Sequence, residues 1–295
     1  MKRIAVVANH EKQQVAEVVA GMKNWAERNG VQLEVAFSDG NDKRPVPMIQ
    51  FDPERMRDLR RQFAGCDVAV TLGGDGTLLV AAHAVAPLDI PVLSVNLGSL
   101  GFHTQVEPEN ITSALDAVHS GNFRTETRMM LEATLESGVG DSPISAIALN
   151  DIVVAKSVWG RVVHLRVSVD AIPATDVFGD GLLVCTPTGS SAYNYAAHGP
   201  VLDPALEAIL VNAICPHGMT IAPLVLRPTS RIDVEFHPRK ALEEANVFVD
   251  GQAWSAVTHL DRLKISRAPV YLPLVVFEDD FFAKLRAKLA WGGLT

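Results

Sequence analysis

The sequence predicts an α/β plus β-rich protein. A mostly parallel α/β nucleotide-binding domain comes first, a β-sandwich-like domain follows, and a C-terminal helix returns to the first domain. Three observations carry this. Strand-like and helix-like segments alternate up to residue 125, which implies a parallel sheet covered by helices. From residue 126, short period-two stretches bounded by turn residues replace them. Helical spacing then reappears at residues 279–289. The domain limits that follow are 1–125, 126–270 and 271–295.

Each element has a local cause. Residues 4–8 are an apolar first strand, and 13–28 an amphipathic helix with apolar side chains at 15, 18, 19, 22, 25 and 26. Asn29-Gly30 stops that helix. Residues 31–37 are a second strand, and 38–48, polar with two prolines, a surface loop. Residues 53–63 form a charged helix, 68–72 a buried strand, and Leu78-Leu79-Val80-Ala81-Ala82-His83 a helix. The strand at 90–95 ends in Asn96-Leu97-Gly98-Ser99-Leu100-Gly101-Phe102, with a helix near 108–119. In the second region, 164–169, 231–236, 246–249 and 263–266 alternate apolar and polar residues as half-buried strands do.

Bulk properties exclude several classes. The net charge of −8 argues against nucleic acid or an anionic membrane as a partner. No apolar run approaches the roughly 18 residues that span a bilayer. The basic start Met1-Lys2-Arg3 leads into a short apolar stretch that reads as a strand, not a signal peptide. Cys66, Cys185 and Cys215 are widely spaced and read as buried thiols in a reducing, cytoplasmic compartment. There is no GxxxxGK[ST], no G-x-G-x-x-G after the first strand and no Gly-x-Ser-x-Gly. No histidine spacing suggests a metal site.

The chemistry is concentrated in three clusters. Gly73-Gly74-Asp75-Gly76-Thr77 lies at a strand-to-helix turn, where glycines leave backbone N–H groups bare for a phosphate. A carboxylate there repels phosphate, so Asp75 suits a hydroxyl to be deprotonated, or a metal. The alternative is a glycine turn with an Asx-type hydrogen bond. Asn150-Asp151, before an apolar strand, offers a carboxylate and an amide to a ribose or base, or is an ordinary turn. The third runs from Gly179-Asp180-Gly181 through Thr186-Pro187-Thr188-Gly189-Ser190-Ser191-Ala192-Tyr193-Asn194. Its hydroxyls and amides form a polar pocket at a helix N-terminus, with Tyr193 as a flat face, or merely cap a helix.

Together, in order and spacing, these motifs resemble NAD kinases over nearly the whole chain. Val249-Asp250-Gly251-Gln252 and Lys288-Leu289-Ala290-Trp291 are similar to bacterial members. The glycine-Asp loop alone also occurs in diacylglycerol kinases and phosphofructokinases. The resemblance implies transfer of the ATP γ-phosphoryl to the 2′-hydroxyl of the adenosine ribose of NAD, with Mg²⁺ accompanying ATP and no protein metal ligand. It implies Asp75 as general base, with Gly74, Gly76, Thr77, Thr188 and Asn194 in the substrate site. Asn150 and Asp151 bind ribose, Phe102 packs by the adenine, and Ser191, Ala192 and Tyr193 surround the adenosine. Gln252 is a further polar contact. Asp180 lies near the nicotinamide end and comes from a neighbouring subunit of a homodimer or homotetramer.

Two positions depart from the family pattern. Phe178 stands where many members have a basic residue, which leaves Asp180 less neutralised. Val80 stands where many have Arg, which removes a phosphate contact for which Arg161 and His83 are the candidates to compensate in part. Two other functions share parts of this pattern: a diacylglycerol-type lipid kinase, and an NAD-binding regulator without activity.

Overall fold

The computed structural model describes residues 1–38, 51–98, 101–157, 162–218, 221–238, 244–277, 281–289 and 291. Most of the loop expected at 38–48, together with Ser99, Leu100, Arg161 and Ala290, lies outside them. In chain order the elements begin with β1 (Arg3–Ala8), α1 (Val15–Asn29), β2 (Gln32–Phe37), α2 (Pro53–Phe63), β3 (Val68–Gly73), α3 (Asp75–Val85), β4 (Val92–Asn96), α4 (Ile111–Ser120) and β5 (Arg124–Glu136). They continue with β6 (Ile144–Ala148), β7 (Asp151–Lys156), β8 (Val163–Val169), β9 (Ile172–Gly179), β10 (Gly181–Cys185), α5 (Tyr193–Ala196), β11 (Ile209–Ile214) and β12 (Leu224–Leu226). Last come β13 (Ile232–Phe236), β14 (Ala245–Val249), β15 (Gln252–Val257), β16 (Arg262–Val276) and α6 (Phe281–Leu289).

The chain divides into two compact units, residues 1–45, 53–128 and 271–295, and residues 46–52 with 129–270. In the first, β2, β1, β3 and β4 are parallel neighbours in that order, and Leu274 of β16 pairs with Val92 of β4. Every residue of β3 is buried, as a central parallel strand requires. Helix α1 turns Val15, Val18, Met22, Trp25 and Ala26 inward at helical spacing. Gly30 closes it at φ 66°, a left-handed cap that glycine adopts without a Cβ penalty. Trp25 keeps its polar atom satisfied by donating Nε1–H to Asp116 Oδ1 of α4 at 2.7 Å.

In the second unit β12, β11, β10, β7, β14 and β15 form one antiparallel sheet. A separate antiparallel set pairs β13 with β16 and β8, and β8 with β9. Strands β8 and β13 alternate as expected, burying Val163, Leu165 and Val167, and Ile232, Val234 and Phe236. Strands β10 and β11 are buried at every position. Cys66 and Cys185 are buried thiols, and burial pushes both up in pKa. Cys215 departs from expectation: it is exposed, at φ 45°, just after β11.

Candidate active site

Strand β3 delivers its chain to Gly73, and Gly74 caps α3 in an extended conformation, so Asp75 becomes the first residue of the helix. Its carboxylate is oriented by the segment after β4. The N–H of Phe102 donates to Oδ2 at 2.9 Å and that of His103 to Oδ1 at 3.2 Å. The Gly101 N–H donates to Thr104 Oγ1 at 3.1 Å. A Cβ at Gly101 would sit 2.4 Å from Asp75 Oδ1, so only glycine lets this segment close on the carboxylate.

The loop glycines have different tasks. A Cβ at Gly73 would lie 2.1 Å from Thr77 Oγ1, whereas Gly74 and Gly76 face open space within 4 Å. Thr77 is buried against Gly73, and Gly74 and Gly76 leave the backbone accessible as expected. Val80 and His83 lie on the buried side of α3, and the carbonyl of His83 accepts from Arg60 Nη2 at 2.9 Å. His83 therefore cannot stand in for the missing arginine as a phosphate contact. Around Asp75 the buried charges are cationic. His103 is driven down to about 4 by burial, against the pull of Asp75 and with help from Arg128, Lys284 and Lys288, and is neutral at pH 7. Lys288 Nζ lies 5.5 Å from the centre of the half-buried Phe102 ring.

In the second unit the other expected residues gather at one end of β7. The Asp250 carboxylate accepts from the N–H groups of Leu149 (2.8 Å), Asn150 (2.7 Å) and Asp151 (3.0 Å). Asp250 and Gly251, at φ 49° and 76°, make the tight turn from β14 to β15 and place Gln252 beside it. From the other side, Thr186 N–H donates to the Asn150 carbonyl at 2.9 Å, and Thr186 Oγ1 donates to the Leu149 carbonyl at 2.6 Å. A Cβ at Gly189 would be 2.2 Å from that Asn150 carbonyl. Burial, then the negative charge of Asp250, pushes Asp151 up to about 7. Asn150 Oδ1 and Thr188 Oγ1 are buried polar atoms without a hydrogen-bond partner, an arrangement costing about 1–3 kcal/mol per group until a ligand supplies one.

The segment after β10 is not a full helix. Residues Thr188–Ser191 make a 3₁₀ turn and Tyr193–Ala196 a single α-turn. Ser191 Oγ is tied to the Thr188 carbonyl at 3.4 Å, beside Ala192. The carboxamide of Asn194, expected in the substrate site, is fully buried. It donates to Ser190 O at 3.3 Å and Pro200 O at 2.9 Å and accepts from Asn212 at 3.2 Å, so it shapes the loop from behind.

Phe178 and Asp180 are not part of this group. The β7–β10 ladder runs from Asp151↔Cys185 to Ala155↔Gly181, which puts Asp180 roughly 15 Å from Asp151. Asp180 is paired with Lys156, whose Nζ donates to Oδ1 at 2.5 Å. The expectation of a poorly neutralised Asp180 is thus corrected, because β7 supplies the cation that position 178 lacks. Phe178 instead stacks on His164, with ring centres 4.1 Å apart and planes at 17°. Burial first, then the charges of Cys215, Asp151 and Asp180, raise the phenol of half-exposed Tyr193.

Residues 4–123 match the family model for the ATP-NAD kinase N-terminal domain, and residues 149–277 that for the C-terminal domain. An NAD kinase of Koribacter versatilis is 36% identical over 294 residues, covering 99% of both chains. The chain belongs to the NAD kinase family. It is a phosphotransferase of that kind. A second family member, the NAD kinase of Methanothermobacter thermautotrophicus, is 32% identical, covering 100% of this chain and 98% of its own. Among solved structures, yeast NADH kinase complexed with NADH superposes at TM-score 0.86 and 22% identity, over 100% of this chain and 89% of that one. An NAD kinase from Archaeoglobus fulgidus in complex with ATP gives 0.69 and 24%, covering 98% of each. At these identities the two structures speak for the fold.

The family generally works with a divalent metal. Among the described residues no three His, Cys, Asp or Glu side chains gather to hold one. Asp75 is the glycine loop's one carboxylate, and both its oxygens already accept amides. This donor set fits an ion held mainly by the triphosphate and water. Sequence reasoning missed His103, Lys284 and Lys156, and quoted Gly101 and Asp250 within motifs without giving either a role. A glycine and charged residues distant in sequence give no local pattern.

Proposed function

We propose that the protein transfers the γ-phosphoryl of ATP to the 2′-hydroxyl of the adenosine ribose of NAD, yielding NADP, with Asp75 as general base. The observation that carries this is the doubly held carboxylate of Asp75 at the mouth of a glycine loop. Mg²⁺ entering with ATP would neutralise the triphosphate. The loop at Gly74 and Gly76 lets backbone amides approach the phosphates, and α3 points its positive end the same way. Asp75 orients the hydroxyl and collects its proton, which leaves late in a loose transition state and so needs no strong base. Asn150, Asp151, Thr188, Tyr193 and Gln252 bind the dinucleotide, Ser191 and Ala192 line the loop around it, and Phe102 packs by adenine. The NADH and ATP in the two related structures, ligands of those proteins, support this choice of substrates.

The separation of Asp180 from Asp151 supports a homodimer or homotetramer in which Asp180 and Phe178 serve a neighbouring subunit's nicotinamide. We read the protein as cytoplasmic, with functional limits at 1–125, 126–270 and 271–295. No described helix is long and apolar enough to cross a membrane, and a net charge of −8 opposes the approach to an anionic membrane that a lipid kinase needs. The deciding experiment incubates the protein with NAD, Mg²⁺ and ATP and measures NADP. Absence of NADP, or formation of a phosphorylated lipid instead, overturns the reading.

A further inference from the structure

Helix α6 carries a lysine where a helix facing a core would carry leucine. Lys284 is 4% exposed, next to buried Leu285. Its Nζ donates to the Thr104 carbonyl at 2.7 Å. Thr104 closes the short segment whose Phe102 and His103 N–H groups hold the two oxygens of Asp75. The Thr104 hydroxyl also accepts the N–H of Gly101, the residue packed directly on Asp75. One turn on, Lys288 lies over the Phe102 ring at 5.5 Å. The same helix thus grips the segment at both ends.

We propose that Lys284 is a positioning residue for the phosphoryl transfer: its ammonium fixes the Gly101–Thr104 segment and, through it, the direction of the Asp75 carboxylate. The inference rests on Asp75 being the base. Burial of an ammonium costs free energy that an apolar side chain of similar volume does not, so stability alone gives no reason for lysine here. A misplacement of about 1 Å at a reacting group can lower a rate about a hundredfold, which is reason enough.

The test uses the full chain. Lys284→Met and Lys284→Gln are each made alone and in the Asp75→Asn background, and kcat, KM for NAD, KM for MgATP and Tm are measured. Each single variant should lose about tenfold or more in kcat, with KM for MgATP within about twofold of wild type and Tm little changed; KM for NAD rises only as far as Phe102, carried by the same segment, is displaced. Residues that act as a unit are not additive, so each double variant should turn over at the rate of Asp75→Asn alone. If the methionine variant does not fold, the glutamine variant decides by the same criteria. Wild-type kcat in a folded Lys284 variant overturns the inference, and so does a double variant that loses the full factor again. Near-normal turnover of Asp75→Asn would instead remove the base assignment, and this inference with it.

Discussion

A carboxylate in the first turn of a helix is favoured there by the helix dipole, and Asp75 adds two backbone donors that fix its direction. Asp75→Asn keeps the shape and loses the proton affinity. We expect it to fold and to lose about 10²–10⁴ in kcat, the usual share of general-base catalysis; near-normal NADP formation would move the base elsewhere. Asp151 allows a test on stability as well as binding. Its pKa of about 7 lies above the ordinary 3.8, so the native state keeps a proton that the unfolded chain releases. Stability therefore falls as pH rises between about 4 and 7, by a few kcal/mol in all. Asp151→Asn, which cannot ionise, should melt higher than wild type at pH 8, with the difference vanishing below about pH 4. Calorimetry at pH 8, where the carboxyl is ionised, should show it binding NAD more weakly, by about 1.5–3 kcal/mol for a lost charge-assisted bond. An unchanged melting profile would contradict the burial argument, and unchanged affinity the binding role. Both aspartates were legible because each stands beside turn-forming residues at a strand boundary. Burial raises Asp151 first and the negative charge of Asp250 second, yet Asp250 lies about a hundred residues on, and no local pattern links the two.

Among elements, the segment after β4 makes the sharpest demand on sequence. Gly101→Ala would force a methyl group to within 2.4 Å of Asp75 Oδ1 and 2.8 Å of Thr104 Oγ1. The segment must retreat, and we expect kcat to fall, with any loss of NAD affinity limited to the contact of Phe102. An unimpaired Gly101→Ala enzyme would show that the segment need not close on Asp75. The strand pair β7–β10 makes a different one. Its Lys156–Asp180 contact neutralises the carboxylate proposed to face the nicotinamide. Lys156→Met should shift the ratio of kcat/KM for NAD over NADH towards the cationic oxidised form, and Phe178→Arg should shift it the other way. An unmoved ratio in both variants would mean that neither side chain reads the nicotinamide. Strands such as β8 and β13 were legible because one face of each is wet, leaving a period-two trace. The residues after Pro187 looked helical from their composition, but buried Ser190 and Asn194 bond to local carbonyls and tighten the chain into short turns.

For the whole molecule, a charge of −8 sets a field that opposes two anionic substrates. Screening weakens that field over about 10 Å at 0.1 M salt. We expect kcat/KM for MgATP to rise as ionic strength increases from about 0.01 to 0.1 M; a steady fall would show that the cations near Asp75 dominate the approach. The α/β and β-rich classes were legible because alternation and period two are long-range patterns that survive local errors. Which strand the tail would complete was not, since Leu274 meets Val92 across most of the chain. That meeting has a consequence for synthesis. The end of β16, like α6, is made only after residues 129–270 have been synthesised. At about 5–20 residues per second the first unit waits on the order of ten seconds before Leu274 can cover the outer side of Val92, while Ser94 and Asn96 are already bonded to Gln105 and Val106. A nascent chain arrested near residue 270 should therefore expose the Val92 end of β4 to chaperones, and completion and release of the chain should hide it.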